Sequence, residues 1–202
     1  MLKGFIDRLD NAVDIKNTLV ELKAYLKELS PGEGRQYSDE LSTIEESLKK
    51  LLKSEDPKIR KNSAVCLGLT GIAEAAGSLY DAYLSEQTKY NMAAYIEALG
   101  RLDFSSEQSA FPEYIREGLM KRREAVIASD IAFEDKKHVI DEMRELNRLL
   151  RPYIERTHDF TGYELVNEAA LLTNRNFKNI TIKELGHIPH KEFTAGVMVK
   201  TK

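Results

Sequence analysis

Laid over itself with a shift of about 32 residues, the stretch from Leu41 to Asp103 matches at the positions a pair of helices would need to bury. Ile44 falls on Ala76, Leu48 on Tyr80, Leu51 on Tyr83, Leu52 on Leu84, and Leu67-Gly68 on Leu99-Gly100. Within each copy these residues recur at three- and four-residue steps, the period of an α-helix. The stretch therefore reads as two consecutive helical hairpins. Units of roughly 33 to 47 residues cannot bury their own apolar face, and about three are needed for a stable stack. The helices expected before Ser30 and after Ser105 are assigned that flanking role.

The segments on either side support this. Leu2, Phe5, Ile6 and Leu9 fall at i, i+3, i+4 and i+7, a short amphipathic helix. Asp14 is placed to cap a second helix with Ile15, Leu19, Leu22, Leu26 and Leu29 along one stripe, ended by Ser30-Pro31-Gly32. Ser38 or Asp39 opens the first repeat helix. Asp56-Pro57 opens its partner, with an acceptor side chain before a proline whose missing N–H costs nothing in a first turn. Small residues at Ser63, Ala64 and Gly68 would let a neighbouring helix approach closely. Further on, Pro112 implies a break near Phe111, and Ile115, Leu119, Met120 and Ile127 mark the next apolar side. A helix over 134–154 follows, with Val139, Met143, Leu146, Leu150 and Tyr153 as a narrow seam.

Asp56-Pro-Lys-Ile-Arg60 followed by Ala64-Val-Cys-Leu-Gly68 resembles the turn and second helix of a HEAT repeat. The second copy keeps Ala98-Leu-Gly100 and the spacing, but has Asn91-Met92 where the first has Ile59-Arg60. The resemblance implies a right-handed α-α superhelix over residues 1–155, with Arg60 structural at the turn.

Composition limits what such a scaffold can be. The chain of 202 residues is 42% hydrophobic and 31% charged, enough apolar content for a core but with apolar runs too short to span a membrane. With no signal-peptide stretch at the N-terminus and a single cysteine, Cys66, it reads as cytoplasmic. Cys66 sits in the apolar register of its helix, which suits a buried thiol rather than a nucleophile. A formal net charge of −3 argues against a protein that coats nucleic acid through overall charge, while leaving room for local basic surfaces.

After Gly162 the helical pattern stops. Glu164 to Thr173 suits a strand, Asn179 to Leu185 a short helix and Phe193 to Thr201 a second strand, so residues 156–202 read as a small β-α-β unit. Two strands alone make a marginal sheet, and the expectation is that this is the N-terminal piece of a longer protein. Ala170-Leu-Leu-Thr-Asn-Arg-Asn-Phe-Lys-Asn-Ile-Thr-Ile-Lys-Glu-Leu185, followed by Ala195-Gly-Val-Met-Val-Lys200, resembles the opening of the ferredoxin-like and THUMP region that precedes the catalytic domain of guanine-N2 RNA methyltransferases. That resemblance implies an RNA-facing role. It places S-adenosylmethionine in a downstream domain, so that this chain itself holds no cofactor.

No catalytic constellation stands out. His187-Ile-Pro-His190 has a spacing compatible with metal ligation but lacks the third and fourth ligands that zinc needs, and reads as a solvated loop. Gly32-Glu-Gly34 lacks the lysine of a phosphate loop, and no G-x-S-x-G elbow is present. The functional signal is basic. Lys137, Arg144, Arg148 and Arg151 fall at i, i+7, i+11 and i+14, a single stripe on a continuous helix, and Lys121, Arg122 and Arg123 could extend it. Such a stripe could follow a phosphate backbone. Against it, Asp141 and Glu145 are spaced for intrahelical ion pairs. Lys58-Ile-Arg-Lys61 carries the same ambiguity.

Two functions are compatible with this pattern. One is a non-catalytic region that positions structured RNA, such as tRNA or rRNA, for an RNA methyltransferase. The other is a protein-binding adaptor using the groove of a helical solenoid.

Overall fold

The computed structural model describes residues 2–29, 37–102, 104, 111–129 and 137–157. Among them are nine α-helices, one 3-10 turn and no strand. The β-α-β unit expected over 156–202 lies outside the described residues, apart from the end of the last helix. The chain divides into two units, Met1–Ile115 and Arg116–Lys202.

In the first unit the apolar periods become three helix pairs. Helix α1 (Leu2–Asp10) buries Leu2, Phe5 and Leu9, and α2 (Ile15–Glu28) buries Leu19, Leu22 and Leu26. They are joined by Arg8 and Glu21, 2.6 Å apart, and by the tilted rings of Phe5 and Tyr25. Asp14 does not act as the expected cap. Its backbone is left-handed, with φ of 41°, and its carboxylate accepts from Asn17 Nδ2 instead of a backbone N–H. The chain reverses here within a few residues, and the carboxylate is turned away from the helix N–H groups that a cap must reach.

The second pair is α3 (Ser38–Leu51) and α4 (Pro57–Thr70). Asp56 does cap α4, accepting from the N–H of Lys58 at 2.8 Å with Pro57 in the first turn. The helix ends at Gly71, whose φ of 72° is open to glycine at no steric cost. The third pair follows a 3-10 turn at Ala73–Ala75: α5 (Ala76–Ser85), then α6 (Lys89–Leu99). Thr88 stands at the N-cap position of α6 where Asp56 stands in the repeat before, so the sequence offset holds in three dimensions.

These pairs form two layers. Helix α1 packs on α3, while α2 packs on α4 and α4 on α6. The N-terminal pair thus fills the flanking role expected of it. Leu19, Leu22, Ile44, Leu48, Leu67, Leu79, Ile96 and Leu99 are fully buried. Burying a leucine or isoleucine side chain contributes about 1.5–3 kcal/mol, which makes this set the main favourable term. The tightest approach is between α4 and α6. A Cβ on Gly68 would come 2.6 Å from Ala98 Cα and 2.8 Å from its carbonyl oxygen. Cys66 lies in the same helix, fully buried, with Sγ 3.6 Å from the Leu19 carbonyl. Burial pushes its thiol up to about 12, and it stays protonated.

The break near Phe111 is present, and α7 spans Glu113–Ile127. Its first residues complete the first unit: the Tyr114 ring lies edge-on to Tyr80, and Ile115 is fully buried. The apolar side differs at two positions: Met120 and Ile127 are half-buried, and Val126 is buried instead. In the second unit, α8 (Lys137–Leu149) buries Val139, Met143 and Leu146 as read from the seam, and Leu150 is buried after it. The single helix expected over 134–154 is not continuous. Leu150 is a turn, and a separate α9 runs from Arg151 to Thr157. Pro152 explains this, since it has no N–H to offer the Arg148 carbonyl and its ring crowds that position.

Candidate functional site

The seven basic residues picked out along the chain divide into three groups. Lys137, Arg144 and Arg148 share α8 on the side away from its buried seam. Arg144 pairs with Asp141 at 2.8 Å and Arg148 with Glu145 at 2.8 Å, the intrahelical pairs that the spacing allowed. Both arginine side chains remain more than half exposed, so each pair is worth a few tenths of a kcal/mol at most. Arg151 stands on α9, beyond the break, paired with Glu155 at 2.7 Å. The four-residue stripe on one helix is thus corrected to three residues on α8 and one on α9.

Arg122 and Arg123 are corrected more strongly. Arg122 makes a two-pronged bond to Glu142, Nε to Oε1 at 2.8 Å and Nη2 to Oε2 at 2.9 Å, and the Glu142 side chain is 1% exposed. Arg123 is fully buried, its Nε donating to Asn147 Oδ1 at 3.2 Å. These two residues fasten α7 to α8; Arg123 is enclosed, while the Arg122 side chain is 40% exposed with its guanidinium engaged by Glu142. Lys121, just before them in the sequence, is exposed. Arg116 fastens α7 to α9, donating to the Tyr153 hydroxyl at 2.8 Å with its guanidinium over the ring.

The most elaborate polar arrangement lies in the first unit, around Glu86. This residue sits in the turn between α5 and α6 with a side chain that is 0% exposed. Arg60, from the first turn of α4, donates Nε to one carboxylate oxygen at 2.9 Å and Nη2 to the other at 2.7 Å. The Thr88 N–H donates at 2.8 Å, Asn91 Nδ2 at 2.9 Å and the Tyr95 hydroxyl at 3.3 Å. Burial alone would raise the pKa of Glu86, but the donors from Arg60, Asn91 and Thr88 outweigh it and hold the group at about 2. Arg60 also donates to the carbonyls of Ser54 and Glu55, and Asn91 to that of Pro57. The cluster therefore locks the α3–α4 turn to the α5–α6 turn. Asn91 Oδ1 is buried in it without a hydrogen-bond partner.

Beside this cluster α3 and α5 leave a cleft of about 700 Å³. Glu46, Lys49, Lys50 and Lys53 line one wall, Ser78, Asp81 and Ser85 the other, with Arg60 and Glu86 at the end. Lys49 is held by Glu45 and Glu46 at 2.6 and 3.0 Å. Among the described residues no carboxylate lies within ion-pair reach of Lys50 or Lys53. Sequence reasoning passed over both walls, because lysines at the end of a helix also serve its dipole. It passed over Glu86 as a turn residue as well. The available signal was that an acid replaces Ser54 at the matching repeat position, opposite an arginine.

Of the histidines, His138 is exposed in the first turn of α8, and His158, His187 and His190 lie outside the described residues. Among the described residues no group of three or more His, Cys, Asp or Glu is placed to hold a metal, and no helix is long and apolar enough to cross a membrane. Comparison with known proteins finds no matching family model, curated protein or solved structure.

Proposed function

We propose that this chain is a non-catalytic helical-repeat scaffold of the right-handed α-α superhelix, HEAT-like kind, and that it positions structured RNA for a methyl-transferring domain elsewhere in the same protein. S-adenosylmethionine belongs to that other domain in this reading. The observation that supports it is the layer of α2, α4 and α6, three successive second helices packed side by side, with an outer face that is exposed on α2 and part-exposed on α4 and α6. Stacked helical units use such a continuous face to hold an extended partner. The test is titration of labelled tRNA and rRNA fragments at two salt concentrations. Binding that weakens steeply with salt is expected, because phosphate contacts release counterions; negligible binding at low salt removes RNA from the reading.

A second reading, a protein-binding adaptor, is favoured by the cleft between α3 and α5, where Lys50 and Lys53 face solvent-accessible space without a counter-ion among the described residues. Recovery of one stoichiometric protein free of RNA, lost on Lys50→Glu/Lys53→Glu substitution, is the result that would establish it.

A further inference from the structure

The two layers of the first unit close differently. In the second layer α4 meets α6 so tightly that only glycine fits at position 68. In the first layer α1 covers one flank of α3, where the Ser47 hydroxyl donates to Asp10 at 2.7 Å, but α5 makes no comparable contact with the other flank. That flank carries Glu46, Lys49, Lys50 and Lys53, at i, i+3, i+4 and i+7. Facing it, α5 presents Ser78, Asp81, Ala82 and Ser85 at the same spacings. Three of these four side chains are small, which leaves the gap unfilled as the cleft of about 700 Å³. Each wall runs for about two helical turns, roughly 10 Å.

The charge along these walls is unevenly used. Arg60, at the closed end, has all five N–H groups engaged, by Glu86, Thr88 and the carbonyls of Ser54 and Glu55, and offers none to a ligand. Lys49 is taken by Glu45 and Glu46. Lys50 and Lys53 are exposed, with no carboxylate in ion-pair reach among the described residues. The Lys53 N–H bonds to the Lys50 carbonyl, so the turn continues between them and their side chains leave α3 on the same side. The α3 dipole favours lysines near its C-terminus, but it acts all round the helix and does not select this flank. Two acids remain in the walls as well: Asp81, exposed on α5, and Glu46, whose side chain is 67% exposed.

We infer that the cleft between α3 and α5 holds an acidic peptide segment of a partner protein, with carboxylates on Lys50 and Lys53 and its backbone against the small side chains of α5. The inference rests on the adaptor reading and names the chemistry of the partner. The mixed walls decide against a nucleic acid, since a phosphate backbone carries a charge at every nucleotide and would meet Asp81 and Glu46 as well as the lysines. A peptide places carboxylates only where cations stand, and its backbone N–H groups suit Asp81. The small residues let a main chain approach closely, and the hydroxyls of Ser78 and Ser85 both donate and accept. Roughly three extended residues span a wall of this length.

The experiment follows backbone-amide chemical shifts of the isotope-labelled full chain during titration with an octapeptide of alternating glutamate and alanine, its glutamine counterpart, and an oligouridine. The glutamate peptide should shift amides on the facing sides of α3 and α5, and the glutamine peptide should not. Lys50→Gln/Lys53→Gln should weaken binding about fivefold or more, while Lys58→Gln/Lys89→Gln, removing two exposed lysines outside the cleft, should leave it unchanged. Asp81→Asn should tighten it about twofold by removing a screened repulsion. Ala82→Leu, which fills the trough without touching a charge, should weaken it. The lysine variants should keep their thermal midpoint within a few degrees, which separates lost binding from lost folding. Equal loss in the two lysine variants, or an oligouridine shifting the same amides with equal affinity, would overturn the inference. So would an absence of shifts in α3 and α5 at about 1 mM peptide, where even weak binding shows. After that last result the adaptor reading stands if one stoichiometric protein is still recovered, and falls if none is.

Discussion

Arg60 and Glu86, twenty-six residues apart in the chain, meet in a two-pronged ion pair whose carboxylate side is wholly removed from solvent. Removing one partner strands the other. Glu86→Leu and Arg60→Met should each destabilise the first unit by roughly 3 kcal/mol, while the two combined should cost clearly less than the sum. Urea denaturation of the set closes the cycle, and additive losses would show that the pair is uncoupled.

The same carboxylate sets an acid limit. Its pKa is depressed in the folded chain, to about 2 from an ordinary value of 4.5. The unfolded state therefore binds the proton more readily, and the stability linked to Glu86 is fully present above about pH 5 and lost as pH falls through the interval from 4.5 to 2. Subtracting the pH–stability curve of Glu86→Gln from that of the unaltered chain should leave a difference that is constant above about pH 5 and falls only within that window. A flat difference would disprove it.

Gly68 and Gly4 make opposite predictions for one substitution. At Gly68 an added methyl overlaps the Ala98 backbone, so Gly68→Ala must push α4 and α6 apart, at about 1–3 kcal/mol. At Gly4, in α1, a Cβ meets nothing within 4 Å, and Gly4→Ala should stabilise by about 0.5–1 kcal/mol through helix propensity. Paired thermal melts give the signs directly.

Cys66 should behave as a reporter of unfolding. Buried, with its thiol pushed up to about 12, it should react with an alkylating or disulfide reagent at pH 8 only when the first unit opens. The native rate should be far below that in denaturant; rapid native labelling would contradict the packing of α4.

In the second unit, Arg123→Ala should cost about 3 kcal/mol, since it empties a buried site and removes the bond to Asn147. Arg144→Ala and Arg148→Ala, removing exposed intrahelical pairs, should each change stability by about 0.5 kcal/mol or less. Chemical denaturation distinguishes an arginine that packs from one that faces water.

Local patterns carried the first unit far. The 32-residue offset, the proline after Asp56 and the small residue at Gly68 each act through neighbours in the chain or through a register that repeats, and each appears where its chemistry requires. Arg123 shows the limit. In the sequence it is one member of a basic run, and nothing within a turn of it says that Asn147 and the seam of α8 will enclose it. Arg151 was misplaced for a different reason, because a residue before proline can either continue a helix or end it. Glu86 went unnoticed because the arginine that forks onto it, Arg60, comes from a turn twenty-six residues away, and only the fold brings it to the nearby donors Thr88, Asn91 and Tyr95.

What the sequence determined by itself is the all-helical hairpin plan of residues 2–102, since helix periodicity, caps and turn residues are short-range physics. What only the tertiary structure decided is which charges remain available. Burial and pairing with partners twenty or more residues away consumed Arg60, Arg122 and Arg123 as fasteners, while Lys58 and Lys89 in the first turns of α4 and α6 stayed exposed.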